Sequence, residues 1–505
     1  MCDNASMSNI TKQPTRLAAL DLGSNSFHLI IAGLNQGEVR IKDTISEKVQ
    51  LGAGIGPDKR ITEDAQDRAL ACLQRYSERL QGIPKHNVRV VGTNALRKAK
   101  NSKAFLKEAE QILGYNIDII AGREEARLIY LGVSHTQADD EGSRLVIDIG
   151  GGSTEFIIGC RFEAQITESL HMGCVSYAQQ YFDDGINEIA FTRAIVAAKQ
   201  QIIAIRKDLL VNGWDTTVGA SGTIRAITNL LRHQGVVEDV VRKEHLYQLR
   251  EQILQNFNSR HEITMEGLSE KRGPVLPSGL AILIAIYESL NIKSMNYSNG
   301  ALREGLLYDM LGRIEHEDVR DRTVKAMMDR YHVSHSRAER VKSTALQLLD
   351  SLGPDCLSET DVRPYLGWAA ELYQIGLSVS HTYFQKHGAY LIKHSDLPGF
   401  TRRQQAFLAA LVNNHRRSYQ RLKQSSALYH LRRDYVVLSV CLRLALIIQR
   451  GYSEYDVNFK SFTQRHDEFT LELQPGWREE NTLLETDIEQ EIDYLRRVNI
   501  KLKVN

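Results

Sequence analysis

One construction occurs twice in the sequence: an apolar strand, an aspartate, a glycine turn and a second apolar strand. It reads LAALDLGSNSFHLII around Asp21 and RLVIDIGGGSTEFIIG around Asp148, 127 positions apart. A separation of about one domain length argues a duplicated domain pair rather than a short-period array. After the first copy come VRVVG, FLKEAEQIL, IDIIAG and EEARLIYLGV, and strands alternating with helices imply an α/β sheet. The cleft between the two halves is the candidate site.

The rest of the chain supports this organisation. The opening strands form an antiparallel meander with VRIKDTIS. A helix is expected from Thr62 to about Leu80, with Thr62 at its N-cap, Glu63 and Asp64 in the first turn, and Ala65, Ala69, Cys72, Leu73, Tyr76 and Leu80 on one side. Two further glycine turns, TVGASGTIRA and YSNGALREG, each lead from a short strand into a helix. Beyond about residue 315 helical periodicity takes over and runs to about Ile448, and DEFTLELQPGW and IKLKV then suggest a small α+β end. The expected domains are 14–134, 135–315, 316–450 and 451–505.

Composition sets limits on function. A chain of 505 residues with 42% hydrophobic and 25% charged residues is neither disordered, collagen-like nor a coiled coil. The net charge of +1 gives no bulk reason to expect a nucleic-acid partner. Six cysteines (Cys2, Cys72, Cys160, Cys174, Cys356, Cys441) without a C-x-x-C pair suggest neither a disulfide framework nor a structural zinc site, and a reducing cytoplasm fits them best. The N-terminal segment lacks the features of a secretory signal and reads as a loose leader. The apolar runs GLAILIAIY and VVLSVCLRLALII are too short to span a bilayer, and Arg443 interrupts the second. No transmembrane helix is expected.

The chemistry lies in the turns. Glycine lets a backbone approach a ligand, and successive N–H groups form a concavity suited to phosphate oxygens. The donors would be Gly23, Ser24 and Asn25 in the first turn, and Gly150, Gly151, Gly152, Ser153 and Thr154 in the second. One such turn is more often an ordinary hairpin; two with matched aspartates could clamp a polyphosphate. Asp21 and Asp148 stand where a strand meets its turn, with Glu155 seven residues beyond Asp148. Mg²⁺ takes one or two carboxylates, waters and substrate phosphate oxygens; the alternative is that the aspartates only bind turn amides. Glu124 and Glu125 open a helix at a strand's carboxyl end, where α/β sheets place their sites, although acids in a first turn also serve the helix dipole. Arg97 and Arg303 could reach a phosphate or be solvated charges.

Together DLGSNSFHLII, VVGTNALR, AGREEARLIYLGV, VIDIGGGSTEF, MGCVSYAQQYF, GASGTIRA and NGALREGLLYDM resemble the exopolyphosphatase and guanosine pentaphosphate phosphatase family. The resemblance runs from about Leu17 to the end. It implies a duplicated actin-like (ASKHA, ribonuclease H-like) domain pair, a mainly helical HD-like domain and a small α+β C-terminal domain. It further implies Glu125 as the general base that activates water, Arg97 on the scissile phosphate, and Asp148 and Glu155, with Asp21, holding Mg²⁺. Gly23, Ser24, Asn25, Gly150, Gly151, Ser153, Ser221 and Gly222 would line the phosphate loops. A homodimer is implied, and peripheral association with the inner membrane face is left open.

The family has two branches. YSNGALREGLLYDM, EHEDVRDRT and LIKHSDLPGF look more like the exopolyphosphatase branch, and PSGLAILIAIYESLNI more like the pentaphosphatase branch. The expectation is an exopolyphosphatase that releases orthophosphate from inorganic polyphosphate. Hydrolysis of guanosine pentaphosphate is the alternative, and a non-catalytic actin- or chaperone-like nucleotide switch is the rival from another class. The helical region departs from the long members, carrying Tyr373 and Gln374 where a His-Glu doublet would stand, so no second hydrolase centre is expected there. From Thr401 to Arg450 ten Lys/Arg face one acid, Asp434. This basic stretch either guides a long polyanion or is a helix face balanced by the acids between Glu472 and Asp493.

Overall fold

The alternating apolar residues at the start of each copy pair as hairpins, and each hairpin seeds a sheet. The structure is a computed structural model that describes residues 15–35, 38–137, 142–236, 240–314, 318–359, 362–424, 426, 428–450, 459–474 and 482–505. The leader with Cys2, residues 315–317 and 451–458 beside two of the expected boundaries, and the Pro-Gly-Trp at 475–477 lie outside the described residues. Two compact units divide between residues 317 and 318.

In the N-terminal unit, β1 (Thr15–Leu22), β2 (Ser26–Asn35) and β3 (Glu38–Lys48) form the antiparallel meander, and β4 (Val88–Gly92) and β5 (Ile117–Ile119) add in parallel, giving the order β3-β2-β1-β4-β5. The second sheet repeats this plan. Its strands are β6 (Ser143–Ile149), β7 (Thr154–Cys160), β8 (Glu163–Leu170), β9 (Thr216–Ala220), β10 (Val240–Arg242) and β11 (Ser294–Tyr297), ordered β10-β11-β9-β6-β7-β8. In both copies an antiparallel pair lies beside a parallel neighbour, so the duplication read from the turns extends to the sheets.

Helix α1 (Glu63–Leu80) buries Ala65, Ala69, Cys72, Leu73, Tyr76 and Leu80, as its periodicity implied. Thr62 is its N-cap residue but makes no side-chain capping bond. Short α2 (Asn94–Lys98) and α3 (Ser102–Leu113) follow, then α4 (Gly122–Ser134). The second lobe carries α5 (Cys174–Tyr181), α6 (Glu188–Asn212), α7 (Ser221–His233), α8 (Lys243–Asn256), α9 (Leu276–Leu290) and α10 (Leu302–Ile314). With its preceding turn α9 spans Gly273–Leu290, long and apolar enough by composition to cross a membrane, and longer than the run expected. Its apolar surface is accounted for by burial in the second-lobe core, where every residue from Leu276 to Tyr287 is covered.

The placement of α4 and α10 matters most for the site. Helix α4, the last of the first copy, packs on β7 and β8 of the second sheet, whereas α10, the last of the second copy, packs on β1 and β2 of the first. The two helices also pack on each other, and they share one apolar cluster that takes in Leu17, Ile30, Val146 and Ile157 from both sheets. Each lobe thus supplies the closing helix of the other.

The C-terminal unit has α11 (Val319–Arg330), α12 (His335–Ser351), α13 (Arg363–Leu372), α14 (Phe384–His394), α15 (Arg402–Asn413) and α16 (Arg432–Ile448). A sheet ordered β12-β13-β14 follows, from β12 (Phe459–Arg465), β13 (Glu468–Leu473) and β14 (Lys501–Val504), with α17 (Thr482–Arg496) before the last strand. Phe462, Phe469 and Leu471 of this sheet belong to the same apolar core as the helices, so the α+β end and the helical region form one folding body.

Candidate active site

The two glycine turns meet. A Cβ on Gly151 would stand 3.1 Å from Cβ of Ser24 and 3.4 Å from the amide nitrogen of Asn25, so the second turn lies against the first with little room for a side chain. The acceptor side of each turn is tied into the protein. Carbonyls of Ser24 and Asn25 accept from the amides of Gly52 and Gln50 at 2.7 and 2.8 Å, and those of Gly150 and Gly151 accept from Cys174 and Val175 at 2.9 Å. Successive turn amides can meet an anion, but the amide of Gly150, expected among the donors, is a correction: it donates to the Ser153 carbonyl at 2.9 Å.

Between the turns opens a cavity of about 510 Å³, lined by both aspartates, by Glu125 and Glu155, and by Gly23, Ser24, Asn25, Gly150, Gly151, Gly152, Ser153, Ser221 and Gly222. Asp21 and Asp148 therefore share one crevice. Thr154, expected among the phosphate donors, is a correction: it is fully buried, does not line the cavity, and its hydroxyl donates to the carbonyl of Met172 at 2.6 Å. As the first residue of β7 it takes the face of the sheet turned away from the ligand.

Cross-strand register builds the acidic centre. Asp148 and Glu155 are direct partners on β6 and β7, and the equivalent pair on β1 and β2 is Asp21 and His28. Like charges directly opposite one another are destabilising, so such a pair marks a site rather than a scaffold. Burial, with Glu125 and then Asp148 close by, holds Glu155 well above the usual carboxylate range. Burial and the charge of Glu125 push Asp148 up to about 7, with Arg272 opposing them. Asp21 is raised well above its ordinary value, chiefly by burial and then by Glu125, and its Oδ1 is buried without a hydrogen-bond partner.

Glu125 comes to this centre because α4 lies across the second sheet. Its Oε2 accepts from Nη1 of Arg97 at 2.7 Å, and the same nitrogen donates to the Ile120 carbonyl at 2.9 Å. Arg97 itself is not among the residues that line the cavity. The neighbouring Glu124 has a structural place: both its oxygens accept from Arg127, at 2.8 and 2.9 Å, and Arg127 also bonds Asp309 of α10 at 2.6 Å. The two adjacent acids therefore split between cavity and scaffold.

Positive charge in the cavity comes from Arg225, Arg272 and Arg303. Arg303 was recognisable in sequence only as an ambiguous arginine. It donates to Nδ1 of His28 at 3.3 Å, and burial together with Arg303, Arg272 and Arg225 lowers His28 to about 3, which keeps it neutral. Arg225 stands one helical turn after Ser221, a spacing that could have revealed it. Arg272 lies on an irregular connection and carries no comparable signal. Its guanidinium occupies the place a Cβ on Gly222 would take, so that glycine makes room for it. Ser221 holds a left-handed φ of 85° at the start of α7, a strained conformation of the kind that accumulates at functional sites.

Comparison with known proteins now decides the family. Residues 30–314 match the Ppx/GppA phosphatase family and residues 319–492 match Ppx/GppA phosphatase, domain III. The chain belongs to the Ppx/GppA phosphatase family. It is a hydrolase of phosphoric anhydride bonds. A protein of Aeromonas hydrophila named guanosine-5'-triphosphate,3'-diphosphate pyrophosphatase is 42% identical over 482 residues, covering 94% of this chain and 96% of its own. One of the same name from Vibrio cholerae is 40% identical over 476 residues, covering 94% and 95%. Among solved structures, the Aquifex aeolicus PPX-GPPA enzyme is 26% identical with a TM-score of 0.50, over 58% of this chain and 98% of its own. An exopolyphosphatase from Cytophaga hutchinsonii, at 24% identity and TM-score 0.54 over 59% and 98%, shares the fold.

These Ppx/GppA relatives overturn the expectation of an exopolyphosphatase, since the full-length matches at about 40% identity carry the guanosine name. Of the three motifs that suggested the other branch, YSNGALREGLLYDM borders the first cavity through Tyr297 and Arg303, and the described residues of the other two lie in the C-terminal unit. In EHEDVRDRT, Asp318 caps α11 and Thr323 donates to the Pro398 carbonyl of HSDLPGF at 2.8 Å. Thr323 of one motif thus holds Pro398 of the other within the C-terminal unit. The basic stretch is likewise divided: Arg443 is buried against Glu491, and Arg450 and Arg421 pair with Asp487 and Asp467. Tyr373 and Gln374 line a separate cavity in that unit. Among the described residues no group of three or more His, Cys, Asp or Glu side chains is arranged to hold a metal.

Proposed function

We propose that this protein removes the terminal phosphate of the 5'-triphosphate in guanosine-5'-triphosphate,3'-diphosphate, leaving the 5'-diphosphate,3'-diphosphate and orthophosphate. One observation carries the choice of substrate: relatives bearing that name align with 94–97% of the chain. The cavity supports it with two amide-bearing turns and three arginines for a polyanion.

Asp148, Glu155 and Asp21 are the residues that would hold Mg²⁺. Their chemistry fits the ion: burial and then neighbouring carboxylates raise all three acids, and Asp21 Oδ1 lacks a partner within the protein. The absence of a complete protein ligand set among the described residues suits a cation that keeps waters and phosphate oxygens. When bound, Mg²⁺ would offset negative charge on the phosphate oxygens. Arg225, Arg272 and Arg303 grip the phosphates, and the turn amides orient the terminal group. Glu125 takes the water proton on Oε1, the oxygen that Arg97 does not hold. The water oxygen bonds to the terminal phosphorus as its bond to the bridging oxygen breaks, and the departing phosphate oxygen stays with the nucleotide. Arg97 acts through Glu125 as a positioning residue.

Side-by-side phosphate-release assays on the guanosine nucleotide and on long-chain polyphosphate test this reading. Faster turnover of the nucleotide is expected; turnover of polyphosphate alone would overturn it.

A further inference from the structure

The C-terminal unit contains a second cavity of about 730 Å³, within the range of small-molecule sites. Among the described residues its acidic lining is Asp487 and Glu491, and both are engaged. Glu491 pairs with Arg443, which also donates to the carbonyls of Asn414 and Arg417, and Asp487 pairs with Arg450. Arg416 and Arg417 also line the cavity, and neither has a carboxylate partner among the described residues. Their guanidinium groups are steadied by aromatic faces instead. Arg416 lies 4.8 Å from the Phe384 ring centroid and Arg417 5.3 Å from that of Tyr383. Stacking uses the face of a guanidinium and leaves its N–H edge for an anion. Burial, then the charges of Arg417 and Arg450, lowers the pKa of Arg416, which an anion would relieve.

A second group points to what accompanies that anion. His415 lines the same cavity and is 4% exposed. Its Nδ1 lies 2.6 Å from the Val412 carbonyl, so Nδ1 carries the proton and Nε2 is an acceptor, and Nε2 is buried with no hydrogen-bond partner. Burial, with Arg416 and Arg443 nearby, depresses the ring to about 3, which keeps Nε2 unprotonated. A buried acceptor with no donor from the protein takes one from outside the chain, from water or from a ligand. An inorganic phosphate chain offers acceptors almost exclusively, whereas a nucleoside supplies base N–H and ribose O–H groups.

We propose that this cavity is a second ligand site, for a nucleoside phosphate, with the phosphate on Arg416 and Arg417 and a nucleoside donor on His415 Nε2. The site lies wholly within the C-terminal unit and does not depend on the reaction assigned to the first cavity.

Calorimetric titration of the full-length protein with GDP, ADP and inorganic tripolyphosphate tests it. GDP should occupy two sites per chain in the unsubstituted protein. Arg272→Gln should weaken only the event of the first cavity. The exposed and half-buried pair changed in Arg416→Gln/Arg417→Gln should weaken only the other, by about tenfold or more, as loss of charged hydrogen bonds predicts. His415→Phe should weaken that same event for GDP without altering the first. A single GDP site per chain, or a second event indifferent to both the arginine and histidine changes, would overturn the proposal. Tripolyphosphate binding the second site as tightly as GDP would overturn the nucleoside assignment. Failure of the function proposed above would show differently, as loss of guanosine-nucleotide turnover with the second event intact.

Discussion

Both cavities hold ionisable side chains removed from water, and burial acts on them with opposite results. In the N-terminal cavity Asp21, Asp148 and Glu155 crowd around Glu125, and desolvation raises the three. In the C-terminal cavity the surplus is cationic, and desolvation lowers His415 and Arg416. The first combines acids that call for a cation with arginines that call for an anion, the pair of demands made by phosphoryl transfer. The second calls for an anion and one donor, which suffices for binding and supplies no base beside a reacting atom. The two regions thus differ in which charge each leaves unbalanced, and only the second buries a lining arginine, Arg443.

The largest effect expected from breaking this contrast is at Glu125. Glu125→Gln removes the base while keeping its shape, and the turnover rate should fall by about 10²–10⁴-fold with nucleotide affinity retained; a phosphate-release assay with wild-type kcat would remove Glu125 from the mechanism. In the other cavity, Arg443→Met strands Glu491 in the core without its partner. Urea unfolding of the C-terminal unit should then show a loss of about 3–5 kcal/mol. A loss under about 1 kcal/mol would mean that Glu491 finds water.

A smaller and more local effect is expected from Gly222→Ala. The added methyl meets the flexible end of Arg272, so kcat/KM should drop about tenfold while the melting temperature barely changes. Equal loss of both would assign Gly222 to folding instead.

The mildest test is pH. His415 has a folded-state pKa near 3, below its ordinary value of 6.5, so between those values the unfolded chain binds the extra proton. Stability of the C-terminal unit should therefore fall on acidification below about pH 6.5, by at most about 1.4 kcal/mol per pH unit. The slope between pH 6.5 and 5 should become shallower in His415→Phe. An unchanged slope would place the acid sensitivity elsewhere.

Local rules made part of this molecule legible. The buried side of α1 follows from its period, because a helix shows one stripe to the core whatever that core contains. The twin Asp-Gly turns announced the duplication, and both turns do border one cavity. Other features had no local trace. The sequence of Glu124 and Glu125 does not say which acid enters the cavity, since that depends on α4 crossing to the other sheet. Arg272 depends on a connection without periodicity, and the bond from Thr323 to Pro398 joins segments 75 residues apart. Strand β12 was absent from the reading because its alternation is weak and its partner β13 supplies the pairing.

What the amino-acid order alone determined is whatever arises from neighbours along the chain: strand alternation, helix stripes, glycine turns, and the family these imply. Tertiary structure alone decided which charges face one another. The exchange of α4 and α10 between lobes brings Glu125 to Asp148 and Arg303 to His28, and the core that α16 shares with α17 consumes Arg443 yet leaves Arg416 and Arg417 without a carboxylate partner among the described residues. Coulombic interaction and desolvation depend on distance and burial in space, which sequence separation does not encode.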